Sequence, residues 1–570
     1  MDSSKGGEKH IISHSHLHKD PTVSLCKDAS SKNRQTLVFC SSKRGAESQA
    51  EKVASHHKEI LLSLERLAKD IETVLPSPTK QCKRLGLCIR KGVAFHHSGI
   101  HSKQRDLIEN SFREGVIHTI CSTPTLAAGL DLPAFRVIIR DYKRFGKRGM
   151  HPIQVLEYKQ MAGRAGRPLP DMNTSWGEAI LLASNQETKS NLEEQFINGE
   201  VEDIYSKLAV EPVLRTYLLS LISTEMISSI EEAYDFFGET FYAHQFRDTK
   251  KLQLTIRRMI SLLEEWDMIS VDNESGENST EKKESAKKTT PLFENAKELL
   301  SKEKNEVSKS LEATALGKRV SEMYLDPLTA FMLVDSLEKA NKRIRPKENK
   351  EQTIELIHTI TCALELRPLI RSTKKDEEDY YIFVESHDLL IDEKQFYVWR
   401  QDDFEDTVKT TRFLYDWMNE ISEDGLMDRY GVRPGEISYK QQTSDWLLYA
   451  CEELARIHNF KDLLHIIKHL RLRVKHGVKS ELTTLLRFKG VGRHRARKLF
   501  SAHLRDVSSV KKIPFGELSS LVGVALAKKM KKEVGIDISD EEEHKEQERI
   551  KEQKKLPKDS FQKGLAEFTK

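Results

Sequence analysis

Residues 36–47 read TLVFCSSKRGAE. Four apolar residues suited to a buried strand run directly into hydroxyl and basic residues at Ser41 to Arg44, and a helix-compatible stretch follows. That is the first half of a βα unit. Outward from it the pattern repeats, with VAF at 93–95, HTIC at 118–121, VII at 137–139 and AILL at 179–182, separated by amphipathic stretches. Short apolar strands alternating with helices imply a parallel sheet. An α/β lobe is therefore predicted over residues 35–200, preceded by a polar Ser/His/Lys-rich leader at 1–34 that reads as disordered.

Past residue 200 the period changes to helical. Residues 201–325 hold three short amphipathic helices with a polar Lys/Glu/Ser insert at 272–309, the pattern of a winged helix whose wing resumes after the insert. Residues 326–478 read as almost continuous helices, 479–536 as a small helical unit, and 537–570 as a charged tail. Mostly α-helical domains thus follow the α/β lobe.

Lys and Arg number 92 against 88 Asp and Glu, so global charge excludes little and its distribution matters more. From Arg471 to Lys498 ten basic residues face a single acid, Glu481, which favours a polyanionic partner. The seven cysteines show no C-x-x-C pair and no metal spacing, which reads as a reducing compartment. With no long apolar run and no signal pattern, a cytoplasmic location away from membranes is expected.

Three of the predicted strands end in turns where helix N–H groups and hydroxyls can meet a phosphate. Ser41 stands after the first, Ser98 in HHSG after the second, and Thr123 in TPTLAAGLDLP after the third, with Gly129 and Asp131 at the turn beyond. The run QMAGRAGRP at 160–168 places Gln160, Gly163, Arg164 and Arg167 at a tight turn. Two arginines so held can act as fingers on a γ-phosphate presented from outside the lobe. The phosphate cradle itself is not encoded in this sequence, because the 570 residues contain no G-x-x-x-x-G-K-[ST] loop. DEEEH at 540–544 and DEED at 376–379 are not preceded by the apolar strand that would aim an aspartate at Mg2+, and read as surface charge.

In this order, VFCSSKRGAE, FHHSGI, STPTLAAGLDLPA and QMAGRAGRP resemble the second RecA-like motor lobe of superfamily 2 helicases. YLDPLTA, the helix around Trp446, KHGVK at 475–479 and GVGRHRARKL at 490–499 extend the likeness to the archaeal Ski-type DNA repair helicases related to animal HELQ, over about residues 36–535. The resemblance implies a 3′→5′ ATP-dependent DNA helicase of stalled or forked replication structures, acting on single-stranded and forked DNA. Its first motor lobe is expected to be absent from this chain or separately encoded. ATP and Mg2+ would then be bound mainly by that lobe, and this chain alone would be inactive. The rival reading is a non-enzymatic DNA-binding or sliding-clamp adaptor; RNA unwinding is a further alternative.

The resemblance also distributes roles. Arg164 and Arg167 would be the fingers with Gln160 near the nucleotide; Gly129, Asp131 and Gly163 would serve the nucleotide side; Ser41, Ser98 and Thr123 would touch the tracking strand. DYKRFGKRGMHPI at 141–153, with Arg144, occupies the place of a strand-separating hairpin, against the plainer reading of a basic loop. Trp446 matches a base-stacking ratchet residue. Tyr439 stands two turns earlier, where relatives carry an arginine. Gly490, Gly492, Arg493, Arg495, Arg497 and Lys498 resemble a helix-hairpin-helix DNA grip. Finally, Gln562, Leu565 and Phe568 form Q-x-x-L-x-x-F, similar to a sliding-clamp box, with Thr569 in place of a second apolar anchor.

Overall fold

The computed structural model describes residues 18–57, 62–127, 132–146, 149–166, 176–208, 210–273, 309–343, 351–400 and 403–555. It separates into two compact units, one running to Ile204 and including Met427–Ser438, the other comprising Tyr205–Leu426 and the chain from Tyr439 onward.

The first unit is built on five short strands, β1 (Thr36–Phe39), β2 (Val93–His96), β3 (Thr119–Ser122), β4 (Arg136–Ile139) and β7 (Glu178–Leu181). All their pairings are parallel, in the order β2-β3-β1-β4-β7. Between β4 and β7 the strands β5 (Lys143–Gly146) and β6 (Gly149–Pro152) form a separate antiparallel pair. β1 to β4 are buried along their whole length, as expected for parallel strands covered on both faces. Helices pack around the sheet, among them α1 (Pro21–Ser31), α2 (Lys43–Ser55), α3 (Leu62–Thr73), α4 (Lys80–Ile89), α5 (Ser102–Arg113) and α6 (Val155–Ala162). Caps set several starts: the Ser42 and Thr79 side chains accept from Gly45 N and Cys82 N, so α2 and α4 each begin one residue later.

α1 departs from the reading of residues 1–34 as a disordered leader. Asp20 caps it, Pro21 opens it, and Val23, Leu25, Cys26 and Ala29 are buried against the lobe. The polar composition around it hides a short apolar stripe that only a docking surface makes visible. That surface is fastened by Arg136, which is 2% exposed. Its guanidinium donates to Leu25 O at 2.6 Å, Asp28 Oδ2 at 2.8 Å and Glu178 Oε2 at 2.5 Å, tying α1 to β4 and β7.

In the second unit, helices Glu211–Ser223, Ile230–Gly238 and Thr249–Glu265 precede an antiparallel hairpin of β8 (Ile269–Asn273) and β9 (Lys309–Ala313). Asp272, Asn273 and Lys309, the ends of the stretch read as a polar insert, belong to these strands, so the hairpin closes as a wing over a long connection. Arg215 meets Asp326 of YLDPLTA through two bonds of 2.6 and 2.7 Å, both residues being buried. Helices then continue to His476, and a last cluster forms around Val478, Leu482, Leu485, Val491, Ala496, Leu499, Leu518, Ala527 and Met530. The α/β lobe followed by mostly helical domains is the fold class read from the sequence. No helix among the described residues is long and apolar enough to cross a membrane.

Candidate nucleotide and nucleic-acid surfaces

Parallel strands deliver their following loops to one edge of the sheet. Register shows which loops meet: Phe39 pairs with Ser122 and with Ile139, and Ser122 pairs with His96. Backbone bonds lace the residues just beyond, Cys40 N to Ser122 O at 2.8 Å, Thr123 N to His96 O at 3.2 Å and Arg140 N to Phe39 O at 3.0 Å. Ser41, Ser98 and Thr123 therefore leave the sheet at one edge, although they are far apart in sequence. Their side chains differ in availability. Ser98 is exposed. Thr123 is 8% exposed, and its Oγ1 lies 2.9 Å from Thr125 Oγ1. Both the N–H and the hydroxyl of Ser41 donate to Asp141 Oδ2, at 3.0 and 3.2 Å, while Ser42 caps the helix.

Beneath this edge lies a buried charge that sequence reasoning missed. Glu47 on α2 is 3% exposed. Its Oε1 accepts from Gln81 Nε2 at 2.9 Å, His97 Nε2 at 3.1 Å and Arg433 Nε at 2.9 Å, and its Oε2 accepts from Arg84 Nη1 at 2.9 Å. Burial by itself raises the carboxyl pKa, but the hydrogen bonds from His97 and Arg433 outweigh it and hold Glu47 well below the usual carboxylate range. Burial likewise pushes His97 down, with Glu47 only partly opposing it. A neutral imidazole follows, and the network assigns its tautomer: Nδ1 accepts from Gly99 N at 3.1 Å, so Nε2 carries the proton given to Glu47. The HHSG loop is thus set by a charge on another element. Its only signal in sequence is a lone acid on the face of α2 that should be apolar.

The QMAGRAGRP turn follows α6. Gln160 and Gly163 are exposed at its end. Arg164 is 7% exposed, and its Nη2 donates to Ala127 O, so this side chain rests against the end of the TPTLA segment in its own lobe. Ala134 and Ala165 bridge the turn to the start of β4, with Ala134 N bonding to Arg164 O at 3.0 Å and Gly166 N to Ala134 O at 2.9 Å. Gly166 has φ +67, and a Cβ there would lie 2.6 Å from Gly177 N, so both conformation and space demand glycine. Arg167, Gly129 and Asp131 lie outside the described residues, as do Gln562, Leu565 and Phe568.

β5 and β6 place Phe145 opposite Met150 and Arg144 opposite His151. Phe145 is 77% and Met150 58% exposed, an apolar pair presented to solvent next to the tip. Arg144 Nη1 meets Glu157 Oε1 at 3.1 Å, bracing the hairpin against α6.

In the second unit, Tyr439 and Trp446 share the helix Pro434–Ile457, seven residues apart and hence on one face. Trp446 is half-buried. Tyr439 is 47% exposed, its hydroxyl donating to Arg367 O at 3.1 Å, while the neighbouring Lys440 is buried and donates to Pro368 O at 2.6 Å. In GVGRHRARKL, Gly490 has φ +91 and Gly492 caps the helix Arg493–Ser501. The four basic residues divide. Arg495 and Lys498 are exposed. Arg493 lies 4.8 Å from the Trp417 ring and donates to Ile421 O at 2.6 Å. Arg497 makes two 2.8 Å bonds to Glu420 and a 2.9 Å ion pair with Glu481.

Three family models match the chain: the helicase conserved C-terminal domain over residues 21–168, a helix-turn-helix domain over 177–270, and archaeal helicase domain 4 over 354–477. The ATP-dependent DNA helicase Hel308 of Methanococcus vannielii is 33% identical over 547 residues, covering 94% of this chain and 70% of the relative. The chain belongs to the Hel308 helicase family. Hel308 of Pyrococcus horikoshii and of Pyrococcus abyssi are 32% and 34% identical, each match covering 88% of this chain and 64% of the relative. This chain therefore spans between 64% and 70% of the length of these curated Hel308 relatives. The first model begins at residue 21, the first residue of α1. In this Hel308-family chain the lobe thus includes the helix that Arg136 holds.

Proposed function

We infer that this chain supplies the second motor lobe and the DNA-handling domains of an ATP-dependent 3′→5′ DNA helicase acting on forked DNA. The observation that carries this reading is the gathering of the SSKR, HHSG and STPT loops at one sheet edge, with the QMAGRAGRP turn bridged to the neighbouring strand. Such an edge offers hydroxyls and helix N-termini to a backbone without reading bases, as a motor that tracks any sequence requires.

For ATP and Mg2+ the residues present fit one side only. Gln160 and Gly163 are exposed at the end of α6, and Arg164 follows directly, but the sequence holds no phosphate cradle. When bound, ATP would supply the phosphoryl group whose transfer drives movement, and a P-loop lobe would hold its phosphates and Mg2+. Gln160, Gly163, Arg164 and Arg167 would border it from this side. Gly129 and Asp131 would follow nucleotide state, and the β5–β6 pair, with Arg144 and the Phe145–Met150 pair, would part the strands. Trp446 and Tyr439 would stack on bases, and Arg495 and Lys498 would contact the single strand beside Gly490 and Gly492. Gln562, Leu565 and Phe568 would dock on a sliding clamp.

An ATPase assay with forked DNA, on this chain alone and after mixing with a P-loop lobe of a Hel308 relative, tests the reading. Hydrolysis only on mixing, lost in Arg164→Ala, is expected. Robust hydrolysis by the chain alone would overturn it, and DNA binding without stimulation on mixing would favour the adaptor reading.

A further inference from the structure

The segment Met427–Ser438 packs as part of the first unit, although nearly all of the helical chain around it belongs to the second. Its contacts fall on the two loops read above as phosphate contacts. Gly435 N bonds to Gly99 O at 3.0 Å. A Cβ at Gly435 would lie 2.4 Å from Ser98 O and 2.5 Å from Ile100 O, and a Cβ at Gly99 would lie 2.5 Å from Arg433 Cδ. The two backbones interlock at a distance that only glycine permits. Beside them Arg433 Nε donates to the buried Glu47 at 2.9 Å, the carboxylate that also receives His97. Glu436 Oε1 takes Lys43 Nζ at 2.5 Å, and its Oε2 accepts from Arg433 N at 2.8 Å. One turn of chain thus holds the SSKR loop through Lys43, α2 through Glu47, and the HHSG loop through its backbone. That turn opens the helix Pro434–Ile457, which carries Tyr439 and Trp446.

We propose that Arg433, Gly435 and Glu436 are positioning residues for the DNA grip, fixing where Ser98 stands by locking the HHSG loop to the turn that carries them within the first unit. The lock rests on the reading of Ser98 as a phosphate contact. Arg433 and Glu436 touch no DNA in this scheme; they act through His97, Gly99 and Lys43. The charge that makes the lock firm is Glu47, because a buried carboxylate keeps its donors in place far more strictly than an apolar contact would.

The test is the affinity of the 570-residue chain for a fluorescently labelled single strand, by anisotropy at two salt concentrations. The variants are Ser98→Ala, Arg433→Ala, both together, Arg433→Lys and Glu436→Gln. Loss of one hydrogen bond to a phosphate weakens binding about tenfold. Ser98→Ala and Arg433→Ala should each show that loss, and the double variant should lose no more than either alone. Arg433→Lys, which can still reach Glu47, should recover most of the affinity. Glu436→Gln keeps the fold and releases only Lys43, so a several-fold loss there supports the lock even if Arg433→Ala fails to fold. If Ser98→Ala weakens binding while Arg433→Ala and Glu436→Gln bind as the native chain does, the lock is refuted and the Ser98 reading survives. Additive losses in the double variant refute it too, because a merely structural arginine would lower thermal stability without sharing the effect of Ser98. No change in Ser98→Ala overturns the phosphate reading and the lock with it.

Discussion

Glu47→Gln removes the buried negative charge that His97, Arg433 and Arg84 share and keeps the side-chain shape. In the native lobe its two oxygens accept four bonds of 2.9 to 3.1 Å, from Gln81, His97, Arg433 and Arg84. The glutamine amide can accept on one side only, so its NH2 faces either Arg84 or Arg433, donor against donor. Removing one partner of a buried ion pair costs roughly 3–5 kcal/mol. The low end applies, about 3 kcal/mol, because the Arg84 side chain is 41% exposed and keeps Glu51 at 2.6 Å. A chain of two units does not unfold in one step, so the assay is native-state hydrogen exchange of the β1 and β2 amides, read as local opening. Exchange there should accelerate roughly a hundredfold at pH 7. The sign with pH follows from the direction of the shift. Glu47 is held below its ordinary value, so its stabilisation is complete above about pH 4.5 and fades as pH falls toward the folded value. The gap between native and variant should stay constant from pH 7 to about pH 5 and narrow below about pH 4. Unchanged exchange at pH 7, or a gap of equal size at pH 7 and pH 3.5, would refute the reasoning.

Glu423 runs the other way: burial, partly opposed by Arg493, pushes its carboxyl up to about 7, and its Oε2 has no hydrogen-bond partner. A raised carboxyl contributes stability below its unfolded value and loses it as pH rises through about 7, so Glu423→Gln should stabilise the second unit by about 3 kcal/mol at pH 8 and change nothing at pH 4, seen in the exchange of helix Phe404–Met418. Arg495→Ala with Lys498→Ala should weaken single-strand binding regardless of sequence and reduce the slope of log affinity against log salt by about 1.4. Arg493→Ala with Arg497→Ala should weaken binding as well, but also lower stability, because Glu420 and Glu481 lose the Arg497 guanidinium. Arg136→Met should cost about 3 kcal/mol and release α1, making Lys27 and Lys32 sites of rapid tryptic cleavage while the sheet remains folded.

The chain itself announced its architecture. Strand-to-helix punctuation from Thr36 to Leu182 sufficed for a parallel sheet, since period and turn chemistry are local properties. The order of SSKR, HHSG, TPT and QMAGRAGRP sufficed for the motor family, and the relatives agree. Local signals have a limit, reached at α1: its stripe of Val23, Leu25, Cys26 and Ala29 is too short to stand out from a polar leader. Its place is set by the lobe core it packs against and by Arg136, more than a hundred residues away, which ties it there.

Charge pairing was equally illegible. GVGRHRARKL reads as four equivalent cations, yet Arg493 and Arg497 are engaged with Trp417, Glu420 and Glu481 while Arg495 and Lys498 face solvent. YGVRPGE reads as a turn before a helix, and nothing in its residues reveals that Arg433 completes the shell of a buried glutamate 386 positions earlier. A sequence records which groups a segment carries and how often they repeat. Which distant carboxylate desolvates beside which arginine is decided only when the chain closes on itself, because that pairing depends on burial and on distances of about 3 Å that no local pattern encodes.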